Sequence, residues 1–184
     1  MISTTAATAV ATALLVVGIW IYNGLVKDRN QVRNAWSDID VQLRRRHDLV
    51  PQLVNAVKAY ADYEKATLTA VTELRARSET VERVSEKATL EEAIETGIRK
   101  LVAVAEGYPE LKADANFRQL QDSLLDVEDH LQYARRFYNG AVRMLNTRIE
   151  SFPHLLLARP LRFIPAEFFQ AATDERAAPT VELG

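Results

Sequence analysis

From Met1 to Val26 no side chain carries a charge, and a helix over Ala6 to Leu25 is long enough to cross about 30 Å of hydrocarbon. Such a run has two fates, a membrane helix or a cleaved secretory signal. Secretory signals begin with Lys or Arg and end in a small-residue cleavage site, whereas Ile19-Trp20-Ile21-Tyr22 stands where that site would fall. We therefore expect a transmembrane anchor over residues 1-26, with Ala6, Leu14, Leu15, Val16, Val17, Ile19, Trp20, Ile21 and Tyr22 as its anchor residues. Trp20 and Tyr22 sit near its C-terminal edge, where amphipathic rings prefer the headgroup level. Lys27, Arg29, Arg33, Arg44, Arg45 and Arg46 follow the span and no Lys or Arg precedes it. The positive-inside rule then puts the N-terminus outside and the soluble domain in the cytoplasm.

The other 158 or so residues suit one globular domain rather than two. A formal net charge of -2 gives no basic field, so no nucleic-acid partner is expected. With no cysteine, disulfides, thiolate metal sites and cysteine nucleophiles are excluded. Glycine and proline are sparse at six each, which favours long helices over turn-dense β architecture. The expected fold is all-α: one transmembrane helix, an antiparallel bundle of about four long helices over 27-171, and a disordered tail over 172-184.

Periodicity supports this. Val32, Trp36, Ile39, Leu43, Arg46, Val50, Leu53, Val57, Tyr60, Glu64, Thr67, Val71 and Leu74 step by three or four residues, a heptad-like, coiled-coil spacing. The same phase runs back through Leu25 to Leu15, so the membrane helix is expected to continue into the soluble one without a loop. Pro51 interrupts the stripe and requires a kink or a fresh start; the unbroken phase favours the kink. A polar stretch from Arg75 to Lys87 holds the next turn, and Thr89 with Glu92 fits a capping box opening the following helix. Gly107-Tyr108-Pro109 closes that helix, with glycine as a left-handed cap. Asp114 or Asn116 caps the last long helix, whose stripe is Phe117, Leu120, Leu124, Val127, Leu131, Ala134, Tyr138, Ala141, Leu145 and, past Arg148, Phe152. Arg148 on that stripe is expected to tolerate leucine. Pro153 ends the helix.

No apparatus for catalysis is visible. His47, His130 and His154 are scattered, and neither zinc-protease nor di-iron spacing occurs. There is no phosphate loop and no nucleophile elbow. No catalytic, cofactor-binding or metal residue is assigned, and no small-molecule substrate is expected. Three polar or aromatic clusters remain. Arg44-Arg45-Arg46 spans almost a full turn, so one arginine faces inward. Arg46 lies on the stripe and could pair with Glu64 or Glu128, against the plainer reading that the arginines are solvated or lie over the core by their stems. Tyr138, Asn139 and Asn146 are read as setting helix register. Phe163, Ile164, Pro165, Phe168 and Phe169 could cap the bundle, touch the membrane beside Arg159 and Arg162, or dock a partner.

Several blocks together resemble the LemA family of bacterial membrane proteins. They are Tyr22-Asn23-Gly24-Leu25-Val26, Asn34-Ala35-Trp36-Ser37-Asp38-Ile39-Asp40, and Arg45-Arg46-His47-Asp48-Leu49-Val50-Pro51-Gln52-Leu53, with Ala61 to Glu64, Tyr108-Pro109-Glu110-Leu111, Tyr138-Asn139, Asn146, Phe152-Pro153 and Phe168-Phe169 following in order. A tyrosine is usual in the family where His47 stands, and a histidine is frequent where Tyr63 stands. The resemblance implies an outside N-terminus, a short span in the inner membrane and a cytoplasmic helical bundle. It supplies no enzymatic mechanism; one branch is tied to magnetosome biogenesis. The expected function is a membrane-anchored scaffold or adaptor that self-associates or docks unidentified membrane or cytoplasmic proteins. The alternative is a sensor or regulatory subunit of a membrane protease or envelope-stress system.

Overall fold

The computed structural model describes residues 2–60 and 65–170, with side chains from Thr4 onward. Tyr63, Glu64 and the tail read as disordered over 172-184 lie outside the described residues. Six helices and no strand are found among the described residues: α1 Ile2–Lys58, α2 Lys65–Thr80, α3 Val84–Ala105, α4 Pro109–Ala113, α5 Ala115–Glu150 and α6 Leu155–Ala158. The long N-terminal helix is α1, 57 residues that pass through Pro51. No fresh start occurs there. The apolar run therefore enters the rest of the chain without a loop, as its unbroken phase requires. The stripe from Val32 to Val57 is buried except for the half-buried Trp36, but α1 stops at Lys58 and Tyr60 is exposed. The long stripe thus belongs to two helices, not one.

The chain divides into two compact units, and α1 and α5 contribute residues to each. The first, the anchor unit, holds Met1–Gln42 and Leu131–Glu167. Every described side chain from Thr4 to Val17 is exposed, which is the condition of a helix whose solvent is lipid. Thr8 and Thr12 return their hydroxyls to the carbonyls of Thr4 and Thr8, at 3.1 and 2.9 Å, so neither brings an unpaired donor into the run. Ile21 is buried, unlike the other residues of the expected anchor set, which are exposed. Further along, α1 and α5 pack with the Trp36 and Tyr138 rings 5.5 Å apart.

The second, the core unit, holds Leu43–His130 and, of the described residues at the other end, Phe168 to Gln170. Val50, Leu53 and Val57 of α1, Val71 of α2, Ile94 and Leu101 of α3, Leu111 of α4, and Phe117 and Leu120 of α5 form one apolar core. At about 1.5–3 kcal/mol for each fully buried large side chain, this cluster dominates the unit's stability. The turn joining α2 to α3 is Val81–Arg83, inside the polar stretch that predicted it. The expected capping box is absent: α3 starts at Val84, and Thr89 is an interior residue bonded to the Ser85 carbonyl. The buried face already includes Ala88, so the helix begins a turn upstream of Thr89. Gly107 has no positive φ; α3 closes through Gly107 N–H to Val104 and Tyr108 N–H to Ala105, each at 3.0 Å, a three-residue tightening that satisfies the last carbonyls without a left-handed residue. Pro109 opens α4, where its missing N–H costs nothing. Asp114 caps α5 by accepting the Phe117 N–H at 2.8 Å.

The α5 stripe is buried from Phe117 through Leu145 apart from a half-buried Ala134. At its end the expected Phe152 is exposed and Ile149 takes the buried position, because α5 ends at Glu150.

One close approach sets how α2 meets α3. A Cβ on Gly97 would stand 2.3 Å from Val71 Cγ2. In an open helix Gly→Ala gains about 1 kcal/mol. Here overpacking, of order 1–3 kcal/mol, opposes it. Gly97→Ala is expected to lower the melting temperature, and adding Val71→Ala to recover most of the loss; a Gly97→Ala protein more stable than the parent would refute the close approach.

Candidate functional site

The core unit buries charge in one place. Consecutive residues of α1, Arg46 and His47, are 1% and 7% exposed, and Glu91 of α3 and Ser78 of α2 are fully buried. Glu91 is the hub. Its Oε1 accepts from His47 Nε2 at 2.7 Å and from Ser78 Oγ at 2.5 Å. Its Oε2 and its backbone carbonyl each accept from Arg46 Nη1 at 3.3 Å. The other Arg46 terminal nitrogen, Nη2, donates to Glu128 of α5, and His47 Nδ1 lies 3.8 Å from Glu79. Four helices thus supply one group or more to one network.

Burial by itself pushes the Glu91 carboxyl upward. The hydrogen bonds from His47 and Ser78, with the charges of His47 and Arg46, outweigh it and hold the group below the usual 4.5. An ionised Glu91 accepts only, so His47 Nε2 carries a proton. The same argument limits the chemistry. Ser78 donates to a carboxylate whose lowered pKa makes it a weak base, so its oxygen is not activated as a nucleophile. Cavities of about 410 and 250 Å³ lie elsewhere in the unit, lined by residues such as Val54 and Leu68, and Ala56 and Phe117, and by none of the network's residues. Among the described residues no three ligating side chains converge to hold a metal.

Of the two carboxylates foreseen for Arg46, Glu128 is its partner and Glu64 lies outside the described residues. The solvated reading fits the exposed Arg44 and Arg45, the latter 3.1 Å from Asp126, and fails for Arg46. Glu91 and Ser78 were missed. Glu91 nevertheless stands three residues before Ile94 on the apolar face of its helix, and a carboxylate on one stripe facing an arginine on another is a readable signal.

The remaining family-motif residues do not gather at this network. Asp48 is exposed, Leu49 and Pro51 are half-buried and Leu53 is core. Half-buried Tyr108 and exposed Pro109 start α4. In the anchor unit, Asn146 clasps the backbone of Ala166 from both sides, Nδ2 to its carbonyl at 3.0 Å and Oδ1 from its N–H at 2.8 Å. Tyr138 donates to the Glu167 carbonyl at 2.8 Å, and burial with the Glu167 charge pushes its phenol up to about 12. Tyr138 and Asn146 therefore hold the C-terminal segment, while Asn139 is half-buried on the same helix. Exposed Phe152 and half-buried Pro153 follow α5.

A profile of the LemA family matches residues 35–183. The chain belongs to the LemA family. It is similar to Protein LemA of Metamycoplasma hominis, 26% identical over 170 residues that cover 89% of this chain and 78% of that protein. It is also similar to Magnetosome protein MamQ 2 of Paramagnetospirillum magneticum, 34% identical over 71 residues, which are 39% of this chain and 26% of the relative. Magnetosome protein MamQ of Magnetospirillum gryphiswaldense is 22% identical over 174 residues, covering 80% of this chain and 64% of that protein. The chain thus spans less than two thirds of either magnetosome protein. Family membership, these relatives and one helix long and apolar enough to cross a membrane make this a membrane-associated LemA-family protein.

A second charge pair corrects the expectation for Arg148. Its Nη1 lies 2.9 Å from Asp28 Oδ2, as an ion pair without hydrogen-bond alignment, and donates to the Gly24 carbonyl at 3.0 Å. Asp28 is buried, so leucine at 148 strands a carboxylate. Arg148→Leu is expected to cost about 3 kcal/mol and Asp28→Asn to restore part of it; a single variant that melts like the parent would show the pair to be idle. The Glu91 network predicts a pH dependence with a definite sign. Because the folded pKa lies below the unfolded one, the stabilisation is complete above about pH 4.5 and is lost as pH falls through the depressed value. The stability gap between the parent and Glu91→Gln is expected to close on acidification, and a gap constant down to pH 3 or so would contradict it.

Proposed function

We propose that this LemA-family chain is a membrane-anchored helical scaffold or adaptor, whose antiparallel bundle lies at the cytoplasmic face of the bacterial inner membrane and self-associates or docks other proteins there. The observation that carries the reading is on α5. Tyr133, Phe137 and Met144 are 73%, 51% and 49% exposed, and with Gly140 they step by four, three and four residues along one face. A Cβ at Gly140 would meet nothing within 4 Å. This is the spacing of a helix seam, on a helix whose opposite face is already buried. The network in the core unit supports a non-enzymatic role, since its acids and bases are engaged with one another.

Lys27, Arg29 and Arg33, which follow the apolar run at once, support the cytoplasmic orientation. Two-dimensional confinement raises the effective concentration of anchored domains, so a modest seam suffices for clustering. The second reading, a regulatory subunit of a membrane protease or stress-signalling system, draws on buried Glu91, whose lowered pKa makes the network sensitive to acid.

The chain has no native cysteine, so Gly140→Cys gives the full-length protein a single thiol on the row. Cross-linking in native membranes is expected to yield a dimer of the chain. A stoichiometric adduct with a protease or kinase would establish the regulator instead, and a thiol that forms no adduct would remove the row as an assembly surface.

A further inference from the structure

The last turns of the apolar run are not bare helix. In the anchor unit Leu157 Cδ1 lies 3.9 Å from where a Cβ on Gly18 would stand. The His154 ring is 6.3 Å from Trp20, and Phe163 meets Tyr22 edge-on at 6.1 Å. The Arg29 guanidinium lies 5.0 Å above the same Phe163 ring. Gly18 to Leu25 is about the final 10 Å of a run that crosses about 30 Å. Residues 152–164 therefore lie beside α1 at the depth where hydrocarbon gives way to headgroups.

Their composition suits that depth. Phe152 and Ile164 are 77% and 78% exposed, and Leu156 and Leu161 are exposed as well. Arg159 and Arg162, also exposed, stand among them. No Asp or Glu occurs from Ser151 to Ala166. In water such a patch is a liability. At an interface the apolar groups enter the acyl boundary and the guanidiniums meet phosphates.

A second, independent observation concerns Arg162. Its φ of 57° is the sole positive value on a non-glycine among the described residues. The bonds from Phe163 N–H to Ala158 and from Arg162 N–H to Arg159, at 2.9 and 3.1 Å, form a Schellman closure with Arg162 at the position where glycine is usual. An arginine held in a disfavoured backbone at an exposed turn points to use of its side chain.

We propose that residues 152–164 form an interfacial collar: Phe152, Leu156, Leu161 and Ile164 insert into the bilayer surface beside the span, and Arg159 and Arg162 bind anionic lipid headgroups. The inference rests on α1 being the membrane-spanning helix, and its test separates the two claims.

Full-length protein carrying one cysteine, Leu156→Cys or Ile164→Cys, is nitroxide-labelled in vesicles of phosphatidylcholine with and without phosphatidylglycerol. Leu15→Cys in the apolar run and Val41→Cys on the exposed face of α1 serve as references. Collar labels are expected to collide with oxygen and to be shielded from an aqueous nickel chelate, at a depth between the two references. Phosphatidylglycerol is expected to reduce nickel access about twofold, a difference of roughly 0.4 kcal/mol at RT ≈ 0.59 kcal/mol, and Arg159→Gln with Arg162→Gln to abolish that response. Collar labels as open to nickel as Val41→Cys, with Leu15→Cys protected, would overturn the collar and leave the span intact. Nickel access at Leu15→Cys would overturn the span itself. Shielding from both reagents would mean that a protein covers the patch, and an equal depth in both lipid mixtures would overturn headgroup binding.

Discussion

An arginine taken out of water has to be answered from every side, and in the core unit that requirement organises four helices. Arg46 is 1% exposed, and desolvating one such ion costs several kcal/mol, recovered only when its geometry is met by good partners. Glu91 meets it from α3 and Glu128 from α5, while His47 and Ser78 complete the bonding of Glu91. A slip of one residue in α3 would carry Glu91 about 100° around its axis and away from Arg46, His47 and Ser78 together. The apolar core tolerates small shifts more readily than this network does, because dispersion is non-directional and hydrogen bonds are not. We therefore read the network as the device that specifies helix register, with Leu53, Ile94, Leu101 and Phe117 supplying most of the stabilisation around it.

The all-helical fold and the long apolar helix were legible because they rest on patterns that one chain displays alone. A period near 3.6 exposes the buried faces of α3 and α5, and the absence of charge from Met1 to Val26 exposes the long apolar run. Boundaries were less legible. Thr89 and Glu92 have the letters of a capping box, yet the buried face extends back to Ala88 and tertiary packing takes the helix with it. Gly107 has the letter of a left-handed cap, but a three-residue turn satisfies the same carbonyls. Phe152 continued the phase of α5 in sequence, although the helix had already ended at Glu150 and Ile149 met the core instead.

The candidate site was legible on one side only. Arg46 declared itself as a charge on a stripe, and Glu128 could be named as a partner because it lies on a helix with strong periodicity. Glu91 was missed among the neighbouring acids of a charged helix, although its place three residues before Ile94 sets it on the buried face. Arg148 erred in the opposite direction. Treated as an imperfection of its stripe, it proves to neutralise the buried Asp28 more than a hundred residues away in sequence, a pairing that no local pattern can display. Gly24 belongs to the same arrangement, since a Cβ there would stand 3.1 Å from Arg148 Nη1.

These charges share a logic that bears on function. Arg46 and Arg148 both sit where a helix would ordinarily present an apolar side chain, and both are met by acids of the chain itself. Groups engaged in this way are poor instruments of catalysis, because a base already accepting strong hydrogen bonds has little affinity left for a substrate's proton. The chain's exposed surface is of another kind: an apolar row on α5 and, beside the long apolar helix, exposed apolar residues interleaved with arginines. Helix rows recognise helices, and mixed apolar and basic segments at a bilayer's edge recognise lipid. Recognition by these surfaces is part of what we propose, and within its own unit each buried charge pair fixes the register of the helices it joins.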